Sequence, residues 1–312
     1  MIDSRAIRVL CALTALVASS CATYRNAFPN MTLSPPDGSS PEWVELCPGV
    51  ALSRAALGDP DLAVYCVRAA LTADGVRARV LRTPASAPAS AAANREASLS
   101  LAATAFRDPR LIAAINATPF FPVRPFSGGP CGIVGLSAAD GDVASPPSAR
   151  YGAIVFDKAG MGRIVTGDEA DELWRSGDGI AEGAGGFSVI LKSGEVADSE
   201  FVGKYIEGRA PRSAVGLSRE GRFLYLMVID GKNPGHSVGA TFRETALWIR
   251  FFGADSALML DGGGSSAMAA RSSDGSWKIL NVPVQSVVAG IERPVANRIG
   301  VFYSPVSVPS AP

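Results

Sequence analysis

The chain has 312 residues but only one histidine and five cysteines, and its 29 Lys and Arg residues balance its 29 Asp and Glu residues. Since no basic cluster stands out, a nucleic-acid partner has no electrostatic support in the sequence. No CxxC motif or Cys/His grouping is present, which argues against a zinc site. A Ser-His-Asp hydrolase would have to use His236, which lies in a glycine-rich loop. We predict neither a metal nor another cofactor.

Long apolar runs are also scarce, and the clearest one lies near the N-terminus. Two arginines precede the apolar residues 9–17, a length typical of a signal peptide and too short for a membrane span of about 20 residues. Ala18-Ser19-Ser20-Cys21 resembles a bacterial lipoprotein box, so we predict a signal peptide over residues 1–21 and lipidation of Cys21. The alternative is ordinary cleavage after Ala22. The lipid would anchor the protein in the membrane of the cell envelope; otherwise it would be periplasmic or secreted.

Composition divides the rest of the chain. Residues 22–41 are rich in Pro, Ser and Asn and are predicted to form a flexible tether. Residues 42–303 are predicted to form one domain, and 304–312 a loose tail. In an oxidising compartment Cys47 and Cys66, close in sequence on two predicted strands, form the expected disulfide, which leaves Cys131 unpaired.

Many short apolar segments bounded by turn residues predict strands, and three segments predict helices. Thr241 followed by Glu244 gives one of these helices a capping box. The pattern indicates an α+β fold with mixed or largely antiparallel sheets and a few packed helices, in a single domain. The predicted strands are 44–48, 50–53, 62–70, 76–81, 111–115, 132–136, 153–156, 163–165, 187–191, 213–217, 223–229, 257–260 and 298–302, and the helices are 98–106, 168–175 and 241–252.

The most informative segment follows the apolar strand 257–260. It reads Asp261-Gly262-Gly263-Gly264-Ser265-Ser266, a carboxylate followed by three glycines and two hydroxyls. Glycine lets another group approach the backbone closely, so this turn is suited to holding a polar ligand with its N–H groups, hydroxyls and acid. The alternative is a turn capped by Asp261, with Ser265 or Ser266 starting a helix.

Other predicted strands also end in polar residues. Asn116 follows a buried strand, Arg212 begins one, and Asp230 ends another before a loop that contains Ser237. An arginine beside a carboxylate-bearing turn is a common device for binding phosphate in a bidentate manner. For Asn116 a plain turn position, for Arg212 a solvated edge charge and for Glu244 the capping box are the alternatives. We expect Arg212, Asp230, Glu244 and Asp261 to cluster at one end of a sheet.

Taken in order, these segments resemble the phosphodiester glycosidase family. The matching motifs are Arg212-Ser213-Ala214-Val215-Gly216, Asp230-Gly231, Ser237-Val238-Gly239-Ala240-Thr241, Asp261 to Ser266, Asn281-Val282-Pro283 and Arg293-Pro294-Val295-Ala296-Asn297. Two positions depart from the family pattern. Arg-Thr is Arg212-Ser213 here, and Asn-Gly-Gly-Phe-Phe becomes Asn116-Ala117-Thr118-Pro119-Phe120-Phe121, which we expect to reshape the pocket.

The resemblance implies an exported hydrolase that cleaves the glycosidic bond of a sugar-1-phosphodiester in a glycan or glycoconjugate. Asp261, Asp230 and Glu244 would supply the catalytic carboxylates, with a separation of roughly 5 Å for retention or 6.5–9.5 Å for inversion. Arg212 would bind the phosphate. The remaining substrate-binding residues would be Asn116, Ser237, Gly262, Gly263, Gly264, Ser265, Ser266 and Arg293. Two other classes stay open: a non-catalytic glycan-binding lipoprotein of the cell envelope, and a calcium-stabilised adhesion domain that would use Asp261 and Asp230.

Overall fold

The computed structural model describes residues 32–85, 96–177, 180–198, 207–286 and 288–305. The secondary structure lies in one unit, Ser34–Pro312. The predicted signal peptide, the lipidation site Cys21, half of the tether and most of the tail lie outside the described residues. No helix in the described part is long and apolar enough to cross a membrane.

Short strands dominate the domain, as the apolar segments predict. The strands are β1 (Val44–Cys47), β2 (Val50–Gly58), β3 (Asp61–Ala70), β4 (Val76–Arg82), β5 (Ala97–Ser98), β6 (Leu111–Asn116), β7 (Phe120–Phe121), β8 (Pro130–Ile133), β9 (Ser137–Ala139), β10 (Asp142–Ser145), β11 (Ala153–Phe156), β12 (Gly162–Val165), β13 (Glu182–Gly185), β14 (Val189–Lys192), β15 (Glu195–Val196), β16 (Arg212–Leu217), β17 (Phe223–Ile229), β18 (Ser256–Met259), β19 (Met268–Arg271), β20 (Trp277–Ile279), β21 (Val284–Gln285), β22 (Val288–Ala289) and β23 (Asn297–Tyr303). The helices are α1 (Ala102–Ala105), α2 (Gly167–Ser176) and α3 (Phe242–Phe251), with a 3₁₀ helix at Gly263–Ser265.

Three antiparallel sheets enclose the main core. The central sheet has the strand order β1-β2-β3-β17-β16-β18-β14-β15, and two five-stranded sheets have the orders β20-β19-β6-β23-β4 and β10-β9-β13-β11-β12. Buried side chains from all three sheets share one apolar cluster, for example Leu226 and Leu258 with Ile115, Ile299 and Phe156. Burial of this shared apolar surface holds the sheets together. The α+β single-domain prediction is confirmed.

Helix α3 covers the opposite face of the central sheet. Its capping box is present as predicted, because the Thr241 hydroxyl accepts from the Glu244 N–H and the Glu244 carboxylate accepts from the Thr241 N–H. Trp248 and Ile249 are fully buried on its inner side. A side chain at Gly216 of β16 would collide with Ile249 and Ala254, so glycine permits the close approach of the helix.

The helix predicted over 98–106 is wrong over its first half. Residues Ala97–Ser98 form β5, and only Ala102–Ala105 is helical. The N–H of Ser98 donates to the carbonyl of Thr83, and Ser100 and Val295 exchange two backbone hydrogen bonds. These tertiary pairings outweigh the helix propensity of the alanines, which is a weak preference per residue.

The predicted disulfide is also wrong. Cys47, Cys66 and Cys131 are all free thiols. Strand β2 lies between the first two, since Cys47 pairs with Val50 and Cys66 pairs with Ser53. Two strand spacings amount to about 9.5 Å, beyond the roughly 7 Å over which two Cα atoms can be bridged. The prediction that Cys131 is unpaired is confirmed.

Candidate active site

Polar residues converge where four strands of the two packed sheets end. Arg212, the first residue of β16, pairs with Ile229, the last of β17, so Asp230 lies beside the start of β16. On the other side the Leu260 N–H donates to the Ser213 carbonyl, which places Asp261 at the same edge. Strand β6 of the second sheet ends here too, and the Asp261 N–H donates to the Ala117 carbonyl at 2.9 Å.

The glycine turn folds back on its own carboxylate. Gly262 donates its N–H to Asp261 Oδ1 at 3.0 Å, and Gly263 donates to the Pro211 carbonyl at 2.8 Å. These two amides are therefore engaged within the chain, although the sequence suggested that the N–H groups of this turn would hold a polar ligand. Instead the turn continues as the short 3₁₀ helix Gly263–Ser265, which has no side-chain cap.

Asp261 is partly exposed, and its carboxyl has a perturbed pKa. Burial raises the pKa of its carboxyl from 3.8 to about 6, against the opposing effects of a Ser265 hydrogen bond, the charge of Arg293 and the Gly262 N–H. A carboxyl with a strongly raised pKa in a group of polar residues is a frequent mark of a functional site. At neutral pH it is mainly the carboxylate, and it gains a proton in mildly acidic solution.

Arg293 is the positively charged side chain that lies against this turn. It donates from Nε to Gln285 Oε1 at 2.7 Å and from Nη1 to Ser265 Oγ at 3.3 Å. A Cβ at Gly264 would collide with the guanidinium, so only glycine lets Arg293 lie against the turn. Burial lowers the pKa of Arg293 while the charge of Asp261 raises it. Arg293, Ser265 and Asp261 thus form a connected set of groups, in which Arg293 and Asp261 are partly exposed and Ser265 is buried.

Arg212 does not have the exposed position expected of a phosphate ligand. It is 7% exposed, donates from Nε to the Ala240 carbonyl at 2.8 Å and from Nη2 to the Gly208 carbonyl at 2.5 Å, and lies over the Phe242 ring. Burial lowers the pKa of Arg212 to about 10, and the charge of Glu244 opposes that effect. Its guanidinium holds two loop carbonyls beside the strand end.

Glu244, predicted as a catalytic carboxylate, forms the cap of its helix in the structure. One carboxylate oxygen accepts from the Thr241 N–H at 2.8 Å, and the other accepts from Arg209 Nη2 at 2.6 Å. The residue is 2% exposed. A carboxylate that is buried and engaged through both oxygens is a structural group, although it lies close enough to influence Arg212.

Asn116, predicted to bind substrate, instead connects the strand ends. Its Nδ2 donates to the Asp261 carbonyl at 2.6 Å, while its Oδ1 accepts from Ser213 Oγ at 2.7 Å and from the Ala267 N–H at 3.2 Å. It is 1% exposed. The amide fixes the direction in which the glycine turn leaves β18.

All three predicted serines are buried, and two of them do not touch the Asp261–Arg293 pair. Ser237 Oγ donates to the Asp230 carbonyl at 2.6 Å and accepts from the Ala63 N–H, so it holds the loop that follows β17. The buried Ser266 Oγ has no hydrogen-bond partner within the described residues, while the Ser266 carbonyl accepts from Asn281 Nδ2. Of the serines, only Ser265 touches the Asp261–Arg293 pair.

Asp230 is fully buried and contacts a residue that the sequence pattern does not select. Its Oδ2 lies 2.7 Å from Nε2 of His236. The signal in the sequence is indirect: His236 is the single histidine of the chain, six residues after a strand-end acid, in a loop that continues into Ser237. Its side chain is 33% exposed, in contrast to 1% for that of Asp230.

The altered motif after Asn116 has two distinct parts. Ala117 and Thr118 are buried, and Thr118 is held by Asn297, which accepts from the Thr118 N–H and donates to its hydroxyl. Phe120 is buried in a small cluster, whereas Phe121 is 73% exposed. The loop therefore replaces two flexible glycines with a packed connection beside Asp261.

Within the described part of the chain, no three His, Cys, Asp or Glu side chains are grouped closely enough to hold a metal ion. Asp230 and Asp261, the pair that a calcium-stabilised domain would use, end different strands on either side of β16. The donors around Asp230 are N–H groups of Asn281, Val282 and His236, which are suited to a carboxylate and not to a cation.

Comparison of the fold with solved structures finds several similar proteins, including the following three. A hypothetical protein from Synechocystis has a TM-score of 0.62 at 18% identity; the match covers 86% of this chain and only 64% of that one. The catalytic domain of zebrafish N-acetylglucosamine-1-phosphodiester alpha-N-acetylglucosaminidase, auto-inhibited by its pro-peptide, has a TM-score of 0.61 at 16% identity, over 88% of this chain and 87% of that one. A protein from Burkholderia pseudomallei K96243 has a TM-score of 0.55 at 14% identity, covering 78% and 74%.

These similarities show a shared fold, and the sequence adds the family. A search of curated protein sequences finds no match. The sequence profile of the phosphodiester glycosidase family matches residues 109–302, most of the folded domain, and this range includes Asn116, Asp230, Asp261 and Arg293. The chain belongs to the phosphodiester glycosidase family.

Proposed function

We propose that this protein hydrolyses the glycosidic bond between a sugar and a phosphodiester, releasing the sugar and a phosphomonoester. The observation that carries the proposal is the connected set of Asp261, Ser265 and Arg293, in which a carboxyl with a raised pKa lies beside a partly buried guanidinium. This set lies within the region that matches the family profile.

Arg293 supplies the anion recognition. Guanidinium groups bind phosphate oxygens through charge-assisted hydrogen bonds. Nε and Nη1 are engaged by Gln285 and Ser265, which fixes the orientation of the guanidinium plane, and Nη2 lies against Gly264 of the turn. Partial burial strengthens the interaction with an anion, because the effective dielectric constant is lower than in water.

Asp261 acts at the anomeric carbon. Loss of the phosphate develops positive charge on the sugar ring, and a nearby carboxylate stabilises this oxocarbenium-like transition state. A phosphate ester leaves far more easily than an alkoxide, so strong protonation of the leaving group is not required. Arg212, Glu244 and Asn116 position the surrounding loops and the turn, through the hydrogen bonds described above.

A panel of sugar-1-phosphodiesters tests the proposal. Purified protein is incubated with the methyl phosphodiesters of glucose, mannose and N-acetylglucosamine linked at C1, and products are followed by phosphorus NMR and by reducing-sugar release. We expect at least one member to give a free sugar and methyl phosphate. Saturable binding without turnover of any member would favour instead the non-catalytic glycan-binding protein.

We also propose that the protein is exported and carries a lipid on Cys21, which attaches it to the membrane of the cell envelope. The apolar segment 9–17 and the small residues before Cys21 support this proposal. Metabolic labelling with a fatty-acid analogue tests it, and Cys21→Ser is expected to lose both the label and the membrane association. An unlabelled wild-type protein cleaved after Ala22 would contradict the anchor and leave export intact.

A further inference from the structure

His236 combines a contact to a buried carboxylate with partial exposure to solvent, which a purely structural histidine does not need. It follows β17 in the loop that begins at Asp230, and its ring contacts Asp230 through Nε2 at 2.7 Å while one third of the side chain remains exposed. The described structure gives Nδ1, the other ring nitrogen, no hydrogen-bond partner. The protein therefore holds the ring through Nε2, and Nδ1 remains available to a ligand or a water molecule.

The contacts of Asp230 decide which nitrogen carries the proton. Asn281 Nδ2 donates to Oδ1 at 2.9 Å, and the Val282 N–H donates to both carboxylate oxygens at 3.0 Å. Every other partner of this carboxylate is thus a donor, so both of its oxygens act as acceptors. The carboxylate then accepts from His236, so Nε2 carries the hydrogen and neutral Nδ1 presents a lone pair.

Backbone hydrogen bonds hold the histidine in place. The N–H groups of His236 and Ser237 both donate to the Asn233 carbonyl, at 3.0 and 2.8 Å. Ser237 Oγ ties the loop back to the Asp230 carbonyl at 2.6 Å. A positioned imidazole that is oriented by a buried carboxylate is the arrangement that general acid–base catalysis requires.

The histidine and the glycine turn belong to the same end of the molecule. Asn281 donates to Asp230 Oδ1 and also to the carbonyl of Ser266, which lies in the turn that begins at Asp261. Strands β17 and β18 lie on either side of β16, so two strand spacings, about 9.5 Å, separate Asp230 from the turn. Asp230 and the glycine turn therefore lie at the same edge of the central sheet, joined through Asn281.

We propose that His236 is the general base of the reaction, with Asp230 as its positioning residue. This inference rests on the proposed glycosidase function. Nδ1 takes a proton from a water molecule, and the water oxygen bonds to the anomeric carbon from the side opposite the phosphate. The bond between that carbon and the phosphate oxygen breaks, and its electron pair leaves with the phosphomonoester. The imidazolium then returns its proton to solvent, and the sugar is released with inverted anomeric configuration.

Substitution of His236 tests the base directly. In His236→Gln the amide NH₂ can still donate to Asp230 but no lone pair of comparable basicity remains, so kcat is expected to fall by at least roughly a hundredfold with KM little changed. In His236→Ala, added imidazole is expected to restore part of the turnover, which a structural role does not predict. Wild-type-like kcat in His236→Gln would overturn the assignment while leaving the proposed function intact.

The chain's single histidine permits an independent chemical test on untagged protein. Diethyl pyrocarbonate should abolish turnover with modification of one imidazole, hydroxylamine should restore it, and substrate should protect. Proton NMR of the first sugar anomer should show inversion. Retention would overturn the base role, since direct attack of water from the side opposite the phosphate gives inversion. A wild-type protein inactive on every phosphodiester would remove both the proposed function and this inference.

Discussion

Substituting Asp261 by Asn should abolish turnover and at the same time stabilise the protein. Asn keeps the size and the hydrogen-bond acceptance toward Gly262 but removes the charge that the oxocarbenium-like transition state needs. We expect turnover of a sugar-1-phosphodiester to fall by at least about a hundredfold, a typical loss for a positioned catalytic carboxyl. Steady-state kinetics on the substrate selected by the panel measure this loss.

The gain in stability follows from the raised pKa. The pKa of Asp261 is 3.8 in the unfolded reference and about 6 in the fold, because of burial. Below both values the group is protonated in both states and has no effect. As the pH rises through the unfolded value the unfolded chain ionises first, so the wild type loses stability until the pH exceeds about 6.

The raised pKa of Asp261 sets an upper limit to this loss of stability. At about 1.4 kcal/mol per pKa unit, the raised pKa corresponds to about 3 kcal/mol at neutral pH, and partial exposure of the side chain reduces the expectation to about 1–2 kcal/mol. Urea unfolding of both proteins at about pH 4 and pH 8 measures it. Asp261→Asn should be more stable than wild type only at the higher pH.

Asp274→Asn is the matched control. Asp274 lies in the turn between β19 and β20, where hydrogen bonds from Ser276 lower its pKa, so its removal should bring no gain in stability at high pH. Its turnover should equal that of the wild type. Equal stability changes for Asp261→Asn at the two pH values would refute the electrostatic reasoning, and near-wild-type turnover would show that Asp261 only shapes its turn.

Three further predictions concern Arg293, Arg212 and the three cysteines of the domain. Arg293→Ala should raise KM for the phosphodiester by roughly 10–100-fold, the cost of lost hydrogen bonds to a charged group, while the exposed Arg219→Ala leaves it unchanged. Arg212→Ala should lower the thermal midpoint, because the carbonyls of the neighbouring loops lose their buried donors; a phosphate-specific loss of binding with normal stability would contradict the structure. Alkylation of the unfolded, unreduced domain should modify three thiols, and a mass that retains a disulfide would contradict the separation of Cys47 from Cys66.

Strand ends are the part of the site that the sequence predicts well. Apolar runs locate β17 and β18 within a residue or so, because burial against the core requires apolar side chains on those segments. The residues that follow each run, Asp230 and Asp261, are then brought together by the strand order. The capping box at Thr241 is equally local, since both partners lie within one helical turn.

Long-range hydrogen bonds explain what the sequence does not predict. The sequence suggests that several polar groups are free to bind a ligand, namely Asn116, Arg212 and the amides of Gly262 and Gly263. In the structure they form hydrogen bonds within the chain, most of them to other strands or loops. The disulfide prediction failed for a similar reason, because closeness in sequence does not say which strand lies between two cysteines. The role proposed for His236 likewise depends on its contact with the buried carboxylate of Asp230, which the sequence does not reveal.

Hydrolysis in ¹⁸O-labelled water tests the central claim most directly. A glycosidase breaks the bond between the anomeric carbon and oxygen, so the label should appear in the sugar hydroxyl at C1 and be absent from the phosphomonoester. Mass spectrometry of the two products, with Asp261→Asn as the inactive control, reads this outcome. Label in the phosphomonoester would show cleavage at phosphorus, and the roles given to Asp261 and Arg293 would then be wrong.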